Sequence, residues 1–135
     1  MTVVDDYAHH PTELKALLEA TRQAMPGRRV VAVFQPHLYS RTRDFASDFA
    51  AALLGAEVAI VLPIYPAREE PIEGVSSQLV VAEAERLGHP RVLAGPPIGE
   101  AVEQLEELLE PGDVLLTVGA GDVDDLATAW LEGAA

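Results

Sequence analysis

Short apolar runs alternate with stretches of helical periodicity along the whole 135-residue chain, and this rhythm restricts the fold more than any other feature. Parallel neighbours in a sheet need a long crossover between them, usually a helix. A strand–helix–strand alternation therefore specifies parallel strands with helices packed against them. The clearest strand signal is Val30-Val31-Ala32-Val33-Phe34, a near-continuous apolar run of the kind carried by a strand buried on both faces. Strands are expected over 2–6, 29–35, 57–62, 90–93 and 113–118, and helices over 11–25, 41–54, 75–87, 98–109 and 122–132. The first helix has Leu14, Leu17, Leu18 and Thr21 at helical spacing. In the second, Phe45, Phe49, Ala52 and Leu53 share one side and Ser40 is positioned to cap. The fourth would bury Ile98, Val102, Leu105 and Leu109.

The expected fold is α/β, a Rossmann-like doubly wound, mostly parallel sheet with helices on both faces. Residues 1–135 are read as a single domain, long enough for a real core. The first strand begins at the second residue, as expected of a domain excised from a longer chain. No apolar run approaches the roughly 20 residues that span a bilayer, and no signal-peptide pattern opens the chain. Cysteine is absent, which removes disulfide and thiolate chemistry and fits the cytoplasm. A net charge of −13 argues against nucleic acid as a partner. Arginines 28, 29, 41, 43 and 68 lie near expected strand ends, and an acidic body with basic loops is compatible with a small anionic substrate.

In open α/β sheets ligands bind outside the carboxyl ends of the strands. Four loops leave such ends and carry most of the unusual residues. In the first, Asp5-Asp6-Tyr7-Ala8-His9-His10-Pro11-Thr12-Glu13, Pro11 suits the first helical position, His10 the N-cap and Glu13 a capping box. The helix start is a ready anion site, Asp6 has two acceptor oxygens for a ribose diol, and His9 is a donor for a phosphate. The plainer reading is a satisfied helix start with incidental histidines. His9, His10 and His37 match no zinc spacing. The second loop, residues 34–43, places Arg41 and Arg43 at a helix start, against the macrodipole, unless an anion or another domain's acids offset them. An arginine fork suits a carboxylate; the alternative is that both point into solvent. The third, residues 64–74, is long and without evident structure, either functional or simply tied down by its prolines. The fourth, Thr117-Val118-Gly119-Ala120-Gly121-Asp122, lacks the third glycine of a dinucleotide fingerprint, where Asp124 stands. Gly119 and Gly121 are read as a close-packing turn rather than a nicotinamide site.

Asp6-Tyr7-Ala8-His9-His10-Pro11 resembles the D-[YG]-A-H-x-P turn that opens the C-terminal domain of the Mur ligases and folylpolyglutamate synthetases. With Asp5, Thr12 and Glu13 it is similar to the DDYxHHPTE of the Mur ligases that add L-alanine in peptidoglycan synthesis. The second loop is similar to their FQPHRYSRT, the third to Y-x-A-x-E-x-P-I-x-G and the fourth to T-x-G-A-G-D, so the resemblance runs from residue 3 to about residue 130.

That resemblance implies an ATP-dependent, ADP-forming amide ligase of the bacterial cytoplasm. ATP phosphorylates the carboxylate of UDP-N-acetylmuramate, L-alanine attacks the acyl phosphate, and Mg²⁺ offsets the phosphate charge. By matching position, Asp6 and His9 serve the nucleotide, and Tyr7, His37 and Arg41 the amino acid or substrate. Leu38 departs from the pattern, standing where many members have arginine. In the sister ligase that adds a diamino acid, the third segment carries a substrate-selecting arginine, which makes Arg68 a candidate for recognition. No G-x-x-x-x-G-K-[ST] occurs here. In the family that loop belongs to the central domain and the UDP-sugar to the N-terminal domain. The chain alone is therefore expected to be inactive and to act as a lid over the other two.

Two other classes remain. A stand-alone Rossmann-type nucleotide-binding domain or oxidoreductase lacks its glycine fingerprint here. A receiver-like module using Asp5 and Asp6 for Mg²⁺ would need a lysine near the last strand, whereas the single lysine, Lys15, lies on the first helix.

Overall fold

The structure, a computed structural model, describes residues 2–6, 8, 10–119, 123 and 126. Nine elements follow one another: β1 (Thr2–Asp6), α1 (Pro11–Ala24), β2 (Val30–Phe34), α2 (Tyr39–Leu53), β3 (Val58–Val61), α3 (Gln78–Arg86), β4 (Val92–Ala94), α4 (Ile98–Leu108) and β5 (Val114–Val118). The strands form one sheet in the order β1-β5-β2-β3-β4, and every ladder is parallel. The helix expected over 122–132 lies outside the described residues apart from Val123 and Leu126, which are helical and fully buried.

The period-two geometry of a strand divides the core into two layers. Val30, Ala32 and Phe34 of β2 and Val114, Leu116 and Val118 of β5 face Leu14 and Leu18 of α1, Phe49 and Leu53 of α2, and Val80 and Ala84 of α3. Val31, Val33 and Leu115 face the opposite layer, which holds Ala101, Leu105 and Leu108 of α4 with Val123 and Leu126. Strands β1 to β4 advance across the sheet with α1, α2 and α3 on one face. The return from β4 to β5 runs the other way, so α4 must lie on the other face if the crossover hand is kept.

Four local expectations are corrected. Helix α2 starts at Tyr39, because the Leu38 carbonyl already accepts from the Thr42 N–H at 3.1 Å and the Thr42 hydroxyl at 2.8 Å. Ser40 therefore sits in the first turn and is not the N-cap. Phe45 does not join the buried side of α2. Its φ of −120° and ψ of 16° break the helix, and it is 36% exposed beside the His10 ring, with centroids 6.4 Å apart. Among the described side chains α4 buries Leu105, as expected, with Ala101 and Leu108, while Val102 and Leu109 are only partly buried; the Ile98 side chain lies outside those described. Strand β4 starts at Val92, not at 90. Buried His89 accepts the Arg91 N–H at Nδ1 (3.0 Å), which makes Nε2 the donor to the Leu53 carbonyl, also at 3.0 Å, and pins the approach to the strand.

Arg28 and Arg29 lie at the amino ends of the strands, remote from any carboxyl-end site. Arg28 bonds the carbonyls of Gly112 and Asp113 and the Thr2 hydroxyl. Arg29 grips the Asp113 carboxylate with two nitrogens, at 2.6 and 3.1 Å, and Asp113 is only 3% exposed. Burial alone would push the Asp113 carboxyl up. The Arg29 hydrogen bonds and the Glu110 N–H outweigh it and hold the pKa below its ordinary 3.8. A carboxyl depressed by folding adds stability above its unfolded pKa, and that stability is lost as pH falls through the folded value. Replacing Asp113 with Asn should cost about 2–3 kcal/mol at pH 7. Urea unfolding at pH 7 and at successively lower pH should show the gap between wild type and variant closing below pH 3.8.

Candidate functional site

The carboxyl ends of β1, β5 and β2 are adjacent, with Asp6 and Phe34 both in register with Val118. After β1 and β2 the chain turns to helices on one face, while Val123 and Leu126 beyond β5 pack on the other. The crevice opened by such a divergence is where doubly wound sheets bind ligands. With strands about 4.8 Å apart, the loops after β1 and β2 stand about 10 Å from each other across β5.

Polar bonds close the floor of this crevice. The Thr117 hydroxyl donates to Asp5 Oδ1 at 2.6 Å, and the Gly119 N–H donates to the Asp6 carbonyl at 3.1 Å. Asp6 Oδ1 accepts the Ala8 N–H at 2.9 Å, so one of its two carboxylate oxygens is engaged in shaping its own turn. Glu13 accepts the His10 N–H at 3.1 Å and completes the capping box of α1, with Pro11 at the first helical position. Gln35, buried at the end of the apolar β2 run, donates its N–H to the Val118 carbonyl and accepts the Val123 N–H, both at 3.0 Å. Sequence reasoning gave Gln35 no role, although a polar residue closing an otherwise apolar buried strand is a usable signal.

The second loop is built against the third. The Leu38 N–H reaches the Tyr65 carbonyl at 2.9 Å, and the Tyr65 N–H the Pro36 carbonyl at 2.8 Å. The rings of His37 and Tyr65 stack with centroids 5.8 Å apart and planes 15° apart. The Glu69 carboxylate then accepts both the Ser40 N–H, at 3.0 Å, and the Ser40 hydroxyl. The Ser40 hydroxyl first, and its N–H second, hold the Glu69 carboxyl below its ordinary value. The offset expected for Arg41 and Arg43 at this helix start thus comes from within the chain, through Glu69, with Arg43 also paired to Asp44 at 2.9 Å. Arg41 Nη1 is buried and has no hydrogen-bond partner among the described residues. Arg68 is exposed on the same loop.

Leu38 (φ 72°) and Ala67 (φ 54°) are the non-glycine residues with positive φ among those described, and they flank this junction. Such a conformation costs an L-residue about 1–2 kcal/mol and clusters where surrounding bonds over-determine it. The structure thus gathers His37, Ser40, Arg41, Tyr65 and Glu69 into one arm, with Asp6 across β5 from it. Tyr7, His9 and Gly121 lie outside the described residues. Local sequence gives Tyr65 and Glu69 no role, because their partners, His37 and Ser40, are distant along the chain. Among the described residues no group of three His, Asp or Glu could hold a metal ion. A groove of about 450 Å³ lies on the flank between α1 and α2, lined by His10, Lys15, Phe45 and Asp48, outside the crevice itself.

Gly119 has φ 154°, and a Cβ there would meet the Gln35 carbonyl oxygen at 2.9 Å. Gly119→Ala should therefore destabilise the chain by about 2 kcal/mol or more, measured as a fall in denaturation midpoint with an unchanged m-value.

Comparison with known proteins agrees with this geometry. The family described as Mur ligase, glutamate ligase domain matches residues 1–121. The UDP-N-acetylmuramate–L-alanine ligase of Salinibacter ruber is 48% identical over 132 residues, covering 98% of this chain and 28% of the relative. That of Desulfosudis oleivorans is 51% identical over 131 residues, covering 97% of this chain and 29% of the relative. The solved structure of the UDP-N-acetylmuramate-alanine ligase MurC from Thermotoga maritima superposes with a TM-score of 0.74 at 26% identity, over 98% of this chain and 26% of that one. The chain thus spans less than a third of the length of each of these proteins. With its parallel sheet, its strand-end loops and the match over residues 1–121 all in agreement, the chain belongs to the Mur ligase, glutamate ligase domain family.

Proposed function

We propose that residues 1–135 are the C-terminal domain of a three-domain, ATP-dependent, ADP-forming ligase of the bacterial cytoplasm that joins L-alanine to UDP-N-acetylmuramate. The domain supplies one wall of the active site and closes over the N-terminal and central domains, excluding water from the acyl phosphate.

The observation that carries this reading is Arg41. It stands in the arm that faces Asp6 across β5, with a buried guanidinium nitrogen that no described residue satisfies. Burying such a donor is costly unless a partner arrives, and a carboxylate fits the guanidinium fork best. The α-carboxylate of L-alanine is that partner in our reading, with His37, stacked on Tyr65, beside it. Asp6 takes the ribose of ATP, and His9 serves the phosphates. Tyr7 and the exposed Arg68 serve the substrate. Mg²⁺ is bound mainly by the central domain in this reading. When bound, the ion offsets the charge of the phosphates.

The test is ADP release by the full-length protein given ATP, Mg²⁺ and UDP-N-acetylmuramate, with and without L-alanine, and with the 135-residue chain run in parallel. Release should depend on L-alanine in the long form and be absent in the short one. No dependence on any amino acid would leave the fold standing and favour a stand-alone nucleotide-binding domain. In the full-length enzyme, Arg41→Ala should raise the KM for L-alanine about tenfold, equivalent to about 1.4 kcal/mol, and leave the KM for ATP within about twofold. Equal effects on both substrates would remove Arg41 from the amino-acid site.

A further inference from the structure

Helix α2 has a poor start by its own sequence. Its N-cap, Leu38, has no side-chain acceptor, and its first turn contains Arg41 but no acid. The missing acceptor and the missing negative charge both arrive from elsewhere in the chain, on Glu69. A turn closed by the Glu69 N–H to the Pro66 carbonyl, at 2.9 Å, holds Ala67 at positive φ and delivers the carboxylate. Both of its oxygens are then used on Ser40, one on the N–H and one on the hydroxyl. Neither is given to Arg41, the next residue, whose Nη1 stays buried without a partner among the described residues.

We propose that Glu69 is a positioning residue for the amino acid. It fixes the first turn of α2 through Ser40 and fills the anion-binding helix start with its own carboxylate, so that an incoming carboxylate is directed to Arg41. This rests on the reading that Arg41 binds the amino acid. Three features of the arm serve this arrangement. Leu38 and Ala67 are held in disfavoured conformations on either side of the junction. The backbone bonds between Leu38, Tyr65 and Pro36 lock the two segments in register. The Glu69 carboxyl is kept ionised by the Ser40 donors. A loop that merely covered the sheet would need none of them.

The experiment is steady-state kinetics of the full-length ligase with Glu69→Ala, Glu69→Gln, Ser40→Ala, Arg41→Ala and the Glu69→Ala/Arg41→Ala double variant. Glu69→Ala should raise the KM for L-alanine about tenfold and move the KM for ATP less than about twofold. Ser40→Ala, which keeps the N–H bond, should act in the same direction by about threefold. Glu69→Gln, which keeps an acceptor for the Ser40 N–H, should recover most of the loss. In the Arg41→Ala background Glu69→Ala should have no further effect on the KM for L-alanine, because the group it positions is gone. Two results would overturn the proposal while leaving Arg41 in its role. One is an unchanged KM for L-alanine in Glu69→Ala when Arg41→Ala raises it; the other is an equal Glu69→Ala effect with and without Arg41. An Arg41→Ala enzyme with normal L-alanine kinetics would overturn the underlying reading as well.

Discussion

Everything at the candidate site depends on the insertion of β5 between β1 and β2. All five residues of β5 are buried, and it pairs in parallel with both neighbours, through Thr2 to Asp6 on one side and Val30 to Phe34 on the other. This single strand sets the separation of the acidic turn after β1 from the histidine–arginine loop after β2. The chain beyond it packs on the face opposite to the helices that follow those two loops, and this divergence opens the crevice. The amino end of the same strand is anchored by Arg28 and Arg29 around Asp113, and its carboxyl end by Gln35 and Gly119. Arg28 and Arg29, bonded within the chain, and Arg41 thus occupy opposite ends of one sheet.

The two ends are built on different principles. At the amino ends, the Arg29–Asp113 pair and the four bonds of Arg28 occupy these charged groups, and little is left over for a ligand. At the carboxyl ends the backbone is held in disfavoured conformations at Leu38 and Ala67, and a guanidinium nitrogen of Arg41 finds no partner among the described residues. Local cost of this kind is tolerated where neighbouring bonds fix it and where a bound group can use it. Glu69 connects the two kinds of cost, since its carboxylate stabilises the helix that carries the unsatisfied arginine.

The alternation of strand and helix was legible because the apolar runs are short and most have glycine or proline close by, as at 57–62 between Gly55 and Pro63. The place of β5 in the sheet was not, since alternation carries chain order but not strand order. The helix start at Tyr39 escaped because a serine at position 40 is a good cap in isolation, and the Leu38–Thr42 bonds that pre-empt it are set by the pairing with Tyr65. Phe45 escaped because periodicity assumes an unbroken helix. Arg28 and Arg29 were grouped with the other basic residues because charge counting ignores which end of a strand a residue occupies. The loops that carry the site were legible as motifs. Their cross-links, Ser40 to Glu69 and Gln35 to Val123, are tertiary and leave no local trace.

The central position of the last strand also bears on how the chain reaches its fold. Pairing Thr2 with Val114 joins residues 112 apart, so the sheet cannot close until nearly the whole described chain is available. Contacts of such range are slow to form, because loop entropy is lost before the contacts compensate for it. During synthesis β2 would have β3 on one side and an unpaired edge on the other until residues 114–118 emerge. Unpaired edges of apolar parallel strands are aggregation-prone. The strand that shapes the crevice is therefore also the one whose late arrival governs how long the nascent chain stays exposed.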